Sequence, residues 1–294
     1  ETNKKNWILK TATGYGSHGN QIVTAAEAKR IATNNKSIDS SSKSKDDNAT
    51  MYLCQRMVSP PFLLRERKFS MRVYVYYFAG SDDEDDAVYL SRLGLLKLAS
   101  RPYDSDNEDD RIHMTNSGRE EEMLQYDFEY LEKYLDSQEG LMEYELLWDR
   151  ITDAVKSVMK RYARSYSSSS SSYRQRLDVL GIPKILGFDF MIATASSHTT
   201  ATTITGSSPT TLLEPKLLEV NRFPGLEPRG DGDDEVKRRV VLDAWLCAAS
   251  RKKGATMEGG SSELDLARLF LVGDEEAVAR TATGNERPSY SRIR

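Results

Sequence analysis

The sequence predicts an α+β protein built from mostly antiparallel sheets with helices set apart from the strands, and three observations lead there. First, "KFSMRVYVYYFAG" alternates without a break: Phe69, Met71, Val73, Val75 and Tyr77 fall on one face, and Lys68, Ser70, Arg72, Tyr74 and Tyr76 on the other. Second, the longest helical periodicity is confined to residues 120 to 136 and 143 to 164, the latter carrying Leu147, Ile151, Val155, Val158 and Tyr162 at three- and four-residue spacing. Third, the strands "ILGFDFMIA" and "KLLEVN" are joined by a flexible 194 to 215 segment. That reads as a hairpin with a long loop, not as a helical crossover between parallel strands.

The remaining elements follow in chain order. "NWILK" and "NQIV" bracket a glycine-rich turn, Ala25 to Thr33 forms a short helix, and "MYLCQRMV" forms a strand. "AVYLSRLGLLKLAS" reads as two strands around Gly94, and a last helix runs from Asp234 to Ala249. Low-complexity tracts interrupt this pattern at 37 to 49, at the acidic runs 81 to 86 and 104 to 110, at 165 to 173 and at 194 to 211. Their composition buries too little apolar surface to offset the ordering entropy, so flexible insertions are expected. The expected division is 1 to 64, then 65 to 249, then a weakly structured tail from 250 to 294.

At 294 residues and 38% hydrophobic content the chain has enough apolar material for one large or two modest cores. With 41 basic against 45 acidic residues, a net charge of −4, no global field draws it to nucleic acid or to anionic lipid. Cys54 and Cys247 make neither a disulfide framework nor a zinc site, which suits a reducing compartment. No run of 18 apolar residues and no basic-then-apolar leader is visible, so a cytosolic protein off the membrane is expected. The chain starts at Glu1 with a strand pattern beginning almost at once, and the expectation is a fragment of a longer protein.

Two stretches carry chemistry. In "KTATGYGSHGNQI" a glycine-rich hairpin lies between strands, where Gly14, Gly16 and Gly19 let backbone N–H groups approach phosphate oxygens and Lys10 supplies charge. A plain hairpin turn is the competing reading. In "KLLEVNRFPGL" Glu219 and Asn221 share one side of a strand, and in "GFDFM" Asp189 stands between two phenylalanines on a face that also holds Gly187. If those strands pair, the three residues form a patch of hard oxygen atoms of the kind magnesium takes, with water and phosphate completing its shell. A solvated edge strand remains the alternative.

Taken together, "WILK", "QRMV", "RKFSMRVYV", "YLSRLGLLKLAS", "HMTN", "LGFDFM" and "LLEVNRFPGL", in this order over about residues 7 to 247, resemble the tubulin-tyrosine-ligase-like family. The resemblance implies an ATP-grasp fold whose N-terminal part is missing here, with 1 to 64 as a partial N-terminal subdomain and 65 to 249 as the C-terminal one. It implies that Lys10, Gly14, Gly16 and Gly19 form a lid over ATP, and that Gln55, Arg56, Met57 and Val58 stand where the family's "QKYI" linker holds adenine. Lys68 and Arg72 match the "KFDLR" strand, with Ser70 at its nucleotide-facing aspartate. Arg92 matches the arginine of "YREG" as a carboxylate holder, and His113, Thr115 and Asn116 match "HLTN". Asp189, Glu219 and Asn221 match the magnesium ligands.

The activity so implied is ATP-dependent amide-bond formation through an acylphosphate. A carboxylate of the α- or β-tubulin C-terminal tail is joined to a free amino acid, glutamate foremost, with tyrosine or glycine as alternatives. The implied setting is a monomer of the cytoplasm and cytoskeleton, including the basal body of a cilium or flagellum. Four departures stand against this pattern: Ser70 for aspartate, Thr11 for the proline after the lysine, Gln21 for a lid glycine, and Arg222 for a small polar residue. Ser70, Gln21 and the missing N-terminal part motivate a second reading, a catalytically silent tubulin-binding protein. A small-molecule ATP-grasp ligase is the third.

Overall fold

Alternating apolar strands build two separate sheets in the computed structural model, each with its own core. The structure describes residues 4–11, 20–34, 52–79, 86–115, 125–139, 141–167, 182–195, 211–228, 231–252 and 290–293. The chain divides into two compact units that are discontinuous in sequence: Glu1–Ser70, Lys97–Leu124 and Ile192–Thr194 form the first, and the rest forms the second.

The first unit holds a three-stranded antiparallel sheet in the order β2-β1-β3, made from β1 (Lys5–Thr11), β2 (Gln21–Thr24) and β3 (Tyr52–Arg56). Ile8 faces Ile22 on one side and Gln55 on the other. Helix α1 (Ala25–Asn34) leaves β2 through a capping box: the Glu27 amide donates to Thr24 Oγ1 at 3.1 Å, and the Thr24 amide donates to Glu27 Oε2 at 2.8 Å. Leu9, Val23 and Ala28 form the small core beneath it, flanked by Trp7 and Ile31.

The acidic run 104 to 110, expected as a flexible insertion, is an ordered part of this unit. Short polar side chains fold it through local turns, with the Asp106 amide donating to Asp104 Oδ1 and the Asp109 amide to Asn107 Oδ1, each at 3.0 Å. It ends in the single-turn helix α2 (Asp110–His113). Lys4 and Lys5 of the first strand region pair with Asp106 and Glu108.

The second unit is built on a six-stranded sheet in the order β6-β5-β4-β7-β8, from β4 (Phe69–Phe78), β5 (Ala87–Leu98), β6 (Gln125–Asp127), β7 (Lys184–Thr194) and β8 (Leu213–Asn221). A short strand β9 (Tyr290–Ile293) pairs antiparallel with Val88–Ser91, so the expected weakly structured tail contributes to the sheet. All ten residues of β4 are buried, polar face included, because helices cover both sides. Tyr77 meets Tyr162 of α4 (Tyr144–Ser167) edge to face, while Tyr74 and Tyr76 pack with Val240, Ala244 and Cys247 of α5 (Asp231–Lys252).

Three expectations about these elements need correction. The stretch 87–98 is one strand, unbroken at Gly94; a Cβ there would overlap the Phe128 ring and the Arg72 carbonyl oxygen, so the glycine permits close packing and marks no turn. Within the helix expected over 120–136, Gln125–Asp127 pair as β6 and α3 (Phe128–Asp136) begins after Asp127, which accepts from the Tyr130 amide as its N-cap; 120–124 lie outside the described residues. Helix α4 runs to Ser167 and takes in the first residues of the serine tract. The tract 37–49 lies outside the described residues. Among the described residues no helix is long and apolar enough to cross a membrane.

Candidate active site

The second unit gathers four of the expected site residues at one place. Arg72 on β4 stands directly across from Asp189 on β7, both on neighbouring central strands. The guanidinium grips the carboxylate with two parallel bonds, Nε to Oδ1 and Nη2 to Oδ2, the latter at 2.6 Å. Both residues are buried, at 8% and 6% exposure. Burial works against the arginine's charge, but the hydrogen bond and the negative charge of Asp189, with Glu219 adding to them, outweigh it and hold the guanidinium protonated.

Asn221 at the end of β8 completes the cluster. Its Nδ2 donates to Asp189 Oδ2 at 3.2 Å and to Glu219 Oε1 at 3.3 Å, so one amide bridges the two carboxylates. Gly187 makes the arrangement possible. A Cβ on it would lie 2.9 Å from Pro224 Cβ and 3.0 Å from Arg72 Cδ, so only a bare backbone lets the arginine and the turn after β8 lie against β7.

The donor set tests the magnesium expectation. Among the described residues there is no group of three His, Cys, Asp or Glu side chains that could hold a metal. Two carboxylates and an amide are present instead, all hard oxygen donors and few in number, which fits an ion that keeps most of its shell as water and phosphate. Ligation requires Asn221 to turn its amide oxygen inward and Asp189 to share its oxygens with Arg72.

The first unit buries a separate group of cations and hydroxyls. Lys68 is 2% exposed and donates from Nζ to His113 Nδ1 at 3.1 Å, while the Tyr103 ring lies 4.9 Å from the same ammonium. His113 Nε2 donates to the Asn107 carbonyl at 2.5 Å, which fixes the tautomer that leaves Nδ1 free to accept from lysine. Burial pulls the Lys68 pKa down to about 8. Thr115 Oγ1 donates to Ser70 Oγ at 2.8 Å. The Ala99 amide donates to the Lys68 carbonyl, and two residues before Ala99 stands Lys97, another buried lysine.

Lys97 escaped the sequence reading. A signal was present: it is a charge inside the apolar run "GLLKL", the same kind of anomaly that singled out Asp189 in "GFDFM".

Other expected residues are placed differently. Arg92 stands apart from the Arg72 cluster. Leu93 packs with Tyr74 and Tyr76, on the face of β4 that Arg72 shares, so its neighbour Arg92 points to the opposite side. There it lies over Trp148 and is held by Glu145 through two bonds of 2.7 and 2.9 Å. Its guanidinium already has a carboxylate from this chain.

At the expected adenine linker, Gln55 and Arg56 end β3, and the Met57 amide donates to the Asn6 carbonyl at 2.8 Å, with Val58 following. Gln55 Oε1 is buried without a hydrogen-bond partner among the described residues. Lys10 lies on β1 opposite Leu53 and is half-buried. Gly14, Gly16, Gly19 and Asn116 lie outside the described residues.

Two antiparallel sheets in separate units, with helices flanking the larger, make this an α+β protein of the ATP-grasp type. The chain belongs to the tubulin-tyrosine ligase family, whose family model matches residues 1–254. It is similar to the tubulin polyglutamylase ttll-5 of Caenorhabditis elegans, at 27% identity over 247 residues, covering 72% of this chain and 30% of that protein. It is also similar to the tubulin polyglutamylase TTLL13 of Mus musculus, at 25% identity over 207 residues, covering 65% of this chain and 23% of that protein. The chain thus spans less than a third of the length of the curated relatives it matches.

Proposed function

We propose that this chain carries the ligase centre of a tubulin-modifying enzyme that uses ATP to join an amino acid to a carboxylate of the tubulin C-terminal tail. The observation that carries the reading is the patch in which buried Arg72 and Asp189 meet half-buried Glu219 and Asn221 on three neighbouring strands. A scaffold protein gains nothing from taking Arg72 and Asp189 out of water beside a second carboxylate unless they handle charge. Both relatives are polyglutamylases by name, which favours glutamate as the amino acid.

The chemistry is carboxylate activation. An oxygen of the acceptor carboxylate attacks the γ-phosphorus, the bond to the bridging oxygen breaks and ADP leaves. The amine of the incoming amino acid then displaces phosphate from the acylphosphate and gives up a proton. A magnesium ion held by Asp189, Glu219 and Asn221 would supply charge neutralisation at the phosphates. Arg72, kept protonated by Asp189, adds fixed positive charge. Lys68, with a pKa near 8, gains a full charge when an anionic oxygen comes against it, so nucleotide binding takes up protons around that pH. Gln55 Oε1 is an open acceptor that suits an exocyclic amine. His113 is held in its tautomer by Asn107 and serves to position Lys68.

Ser70 favours a second reading. It is neutral where the family pattern has aspartate, and its oxygen is engaged by Thr115, which fits a protein that binds tubulin without turnover. The deciding experiment is mass spectrometry of tubulin tails after incubation with the full-length protein, magnesium, ATP and each amino acid separately. A ladder of peaks spaced by one glutamate residue mass, with glutamate alone, is the expected result. Magnesium-dependent ATP binding without any mass change would establish the silent reading, and no ATP binding at all would overturn both.

A further inference from the structure

The turn that follows β8 is braced from both sides, yet its tip is left to solvent. Pro224 is buried and lies against Gly187 of β7, where a Cβ would not fit. Leu226 packs on the core cluster that holds Tyr74, Tyr76 and Val240. The Glu227 carbonyl accepts from Lys237 of α5 at 2.6 Å, and that lysine pairs with Asp233 at 2.5 Å, both side chains being buried. Between these anchors and the end of the strand stand Arg222 and Phe223, both exposed.

Phe223 is 85% exposed, more than any other large apolar side chain among the described residues. A single exposed ring carries nothing by itself. This one carries a guanidinium: Arg222 lies over it, 5.3 Å from the ring centroid. Among the described residues no carboxylate meets Arg222, whereas Arg72, Arg92, Arg238 and Arg239 are each held by an Asp or Glu of this chain. A guanidinium resting on a ring keeps its N–H edges open, and those edges match a carboxylate with two parallel bonds. The turn therefore presents an unclaimed cation and an apolar plate in a geometry fixed before any ligand arrives, which lowers the ordering cost of binding.

Position gives this pair its meaning. Arg222 directly follows Asn221, whose amide bridges Asp189 and Glu219, and consecutive Cα atoms are about 3.8 Å apart. The pair borders the cluster to which the ligase chemistry is assigned.

We propose that Arg222 and Phe223 form an acceptor subsite, in which the guanidinium takes a carboxylate neighbouring the one that reacts and the ring lies against the methylene groups of that side chain. The subsite rests on the ligase reading for the place of the reacting carboxylate. It narrows the acceptor to a peptide with adjacent carboxylates, so a run of glutamates is a better acceptor than an isolated one.

Fluorescence anisotropy of a labelled oligoglutamate peptide, titrated with the full-length protein in the absence of ATP, reads the subsite apart from turnover. Arg222→Gln should weaken binding about 3- to 10-fold, the scale of one charged hydrogen bond at a solvated site. Arg222→Lys keeps the charge without the fork and should recover part of the loss. Phe223→Ser should cost about 2- to 5-fold, the scale of a cation–π contact at an exposed position. The preference for oligoglutamate over oligoglutamine should shrink in Arg222→Gln, which a general loss of structure would not single out. No saturable binding of oligoglutamate by the parent, or affinities unchanged in both Arg222→Gln and Phe223→Ser, would overturn the subsite even with tubulin modification intact. Peptide binding that Arg222→Gln weakens, in a parent that modifies no tubulin, would keep the acidic-peptide site and remove the ligase reading instead.

Discussion

Adding one methyl group at Gly187 tests how closely the Arg72 cluster depends on the backbone of β7. In Gly187→Ala the new Cβ starts 2.9 Å from Pro224 Cβ and 3.0 Å from Arg72 Cδ. Carbon atoms rest at about 3.5 to 4.0 Å, so each neighbour has to retreat by roughly 0.5 to 1 Å. Arg72 cannot retreat freely, because both its bonds to Asp189 run across the two central strands. Pro224 belongs to the turn that directly follows Asn221. The expected loss of stability is about 1 to 3 kcal/mol, the usual cost of overpacking a filled site. Displacing the cluster by that distance should lower tubulin-dependent ADP release by about 100-fold, far more than the stability loss alone would. Urea denaturation gives the first quantity and steady-state ADP release the second. A variant within about 0.5 kcal/mol of the parent with unchanged turnover would show that the close packing at Gly187 does not position Arg72.

Three further outcomes follow from the same structure. Gly94→Ala forces a Cβ into the Arg72 carbonyl oxygen, which belongs to the backbone and cannot move aside; a loss of more than about 3 kcal/mol, or insoluble protein, is expected, and a normal urea midpoint would contradict it. Arg72→Met leaves Asp189 buried without its counter-charge, so urea denaturation at pH 7 should show a loss of about 3 to 5 kcal/mol, whereas less than about 1 kcal/mol would mean the pair is dispensable to folding. Lys68 has a folded pKa near 8 against 10.5 for the free side chain, so its buried charge costs stability below pH 8 and the cost is relieved as pH rises towards 10.5. Lys68→Met should therefore exceed the parent by up to about 3 kcal/mol at pH 7, with the gap closing across that window; a gap that is flat with pH refutes the assignment.

Much of this fold was legible because period-two alternation survives burial. Phe69 to Phe78, most of Lys184 to Thr194 and the Lys216 to Asn221 part of β8 were readable as strands, and the isolated polar side chains within them marked the Asp189, Glu219 and Asn221 cluster, whereas Leu213 to Pro215, expected in the flexible segment, belong to β8 as well. What alternation cannot convey is which face meets which helix. Arg92 fitted a motif, but its face is decided by Leu93 packing beneath α5 and by Trp148 and Glu145 arriving from α4.

Composition misled in the other direction. "DSDNEDD" has the makeup of a disordered tract, yet Asp104, Asn107 and Asp109 each accept from an amide two residues on, and the segment also meets Lys4 and Lys5. Gly94 looked like a break because glycine usually is one, and here it serves close approach within a strand.

The discontinuity of the first unit bears on how the protein is made. The Phe62 amide donates to the Ile192 carbonyl and the Thr194 amide to the Pro60 carbonyl, so three residues of β7 close a unit that otherwise comes from far earlier in the chain. A ribosome adding about 5 to 20 residues per second needs roughly 6 to 25 s to travel from the end of the first segment to that closing piece. Through that interval Pro60 and Phe62 lack their final partners, and the nascent chain depends on chaperones or on speed to stay out of aggregates.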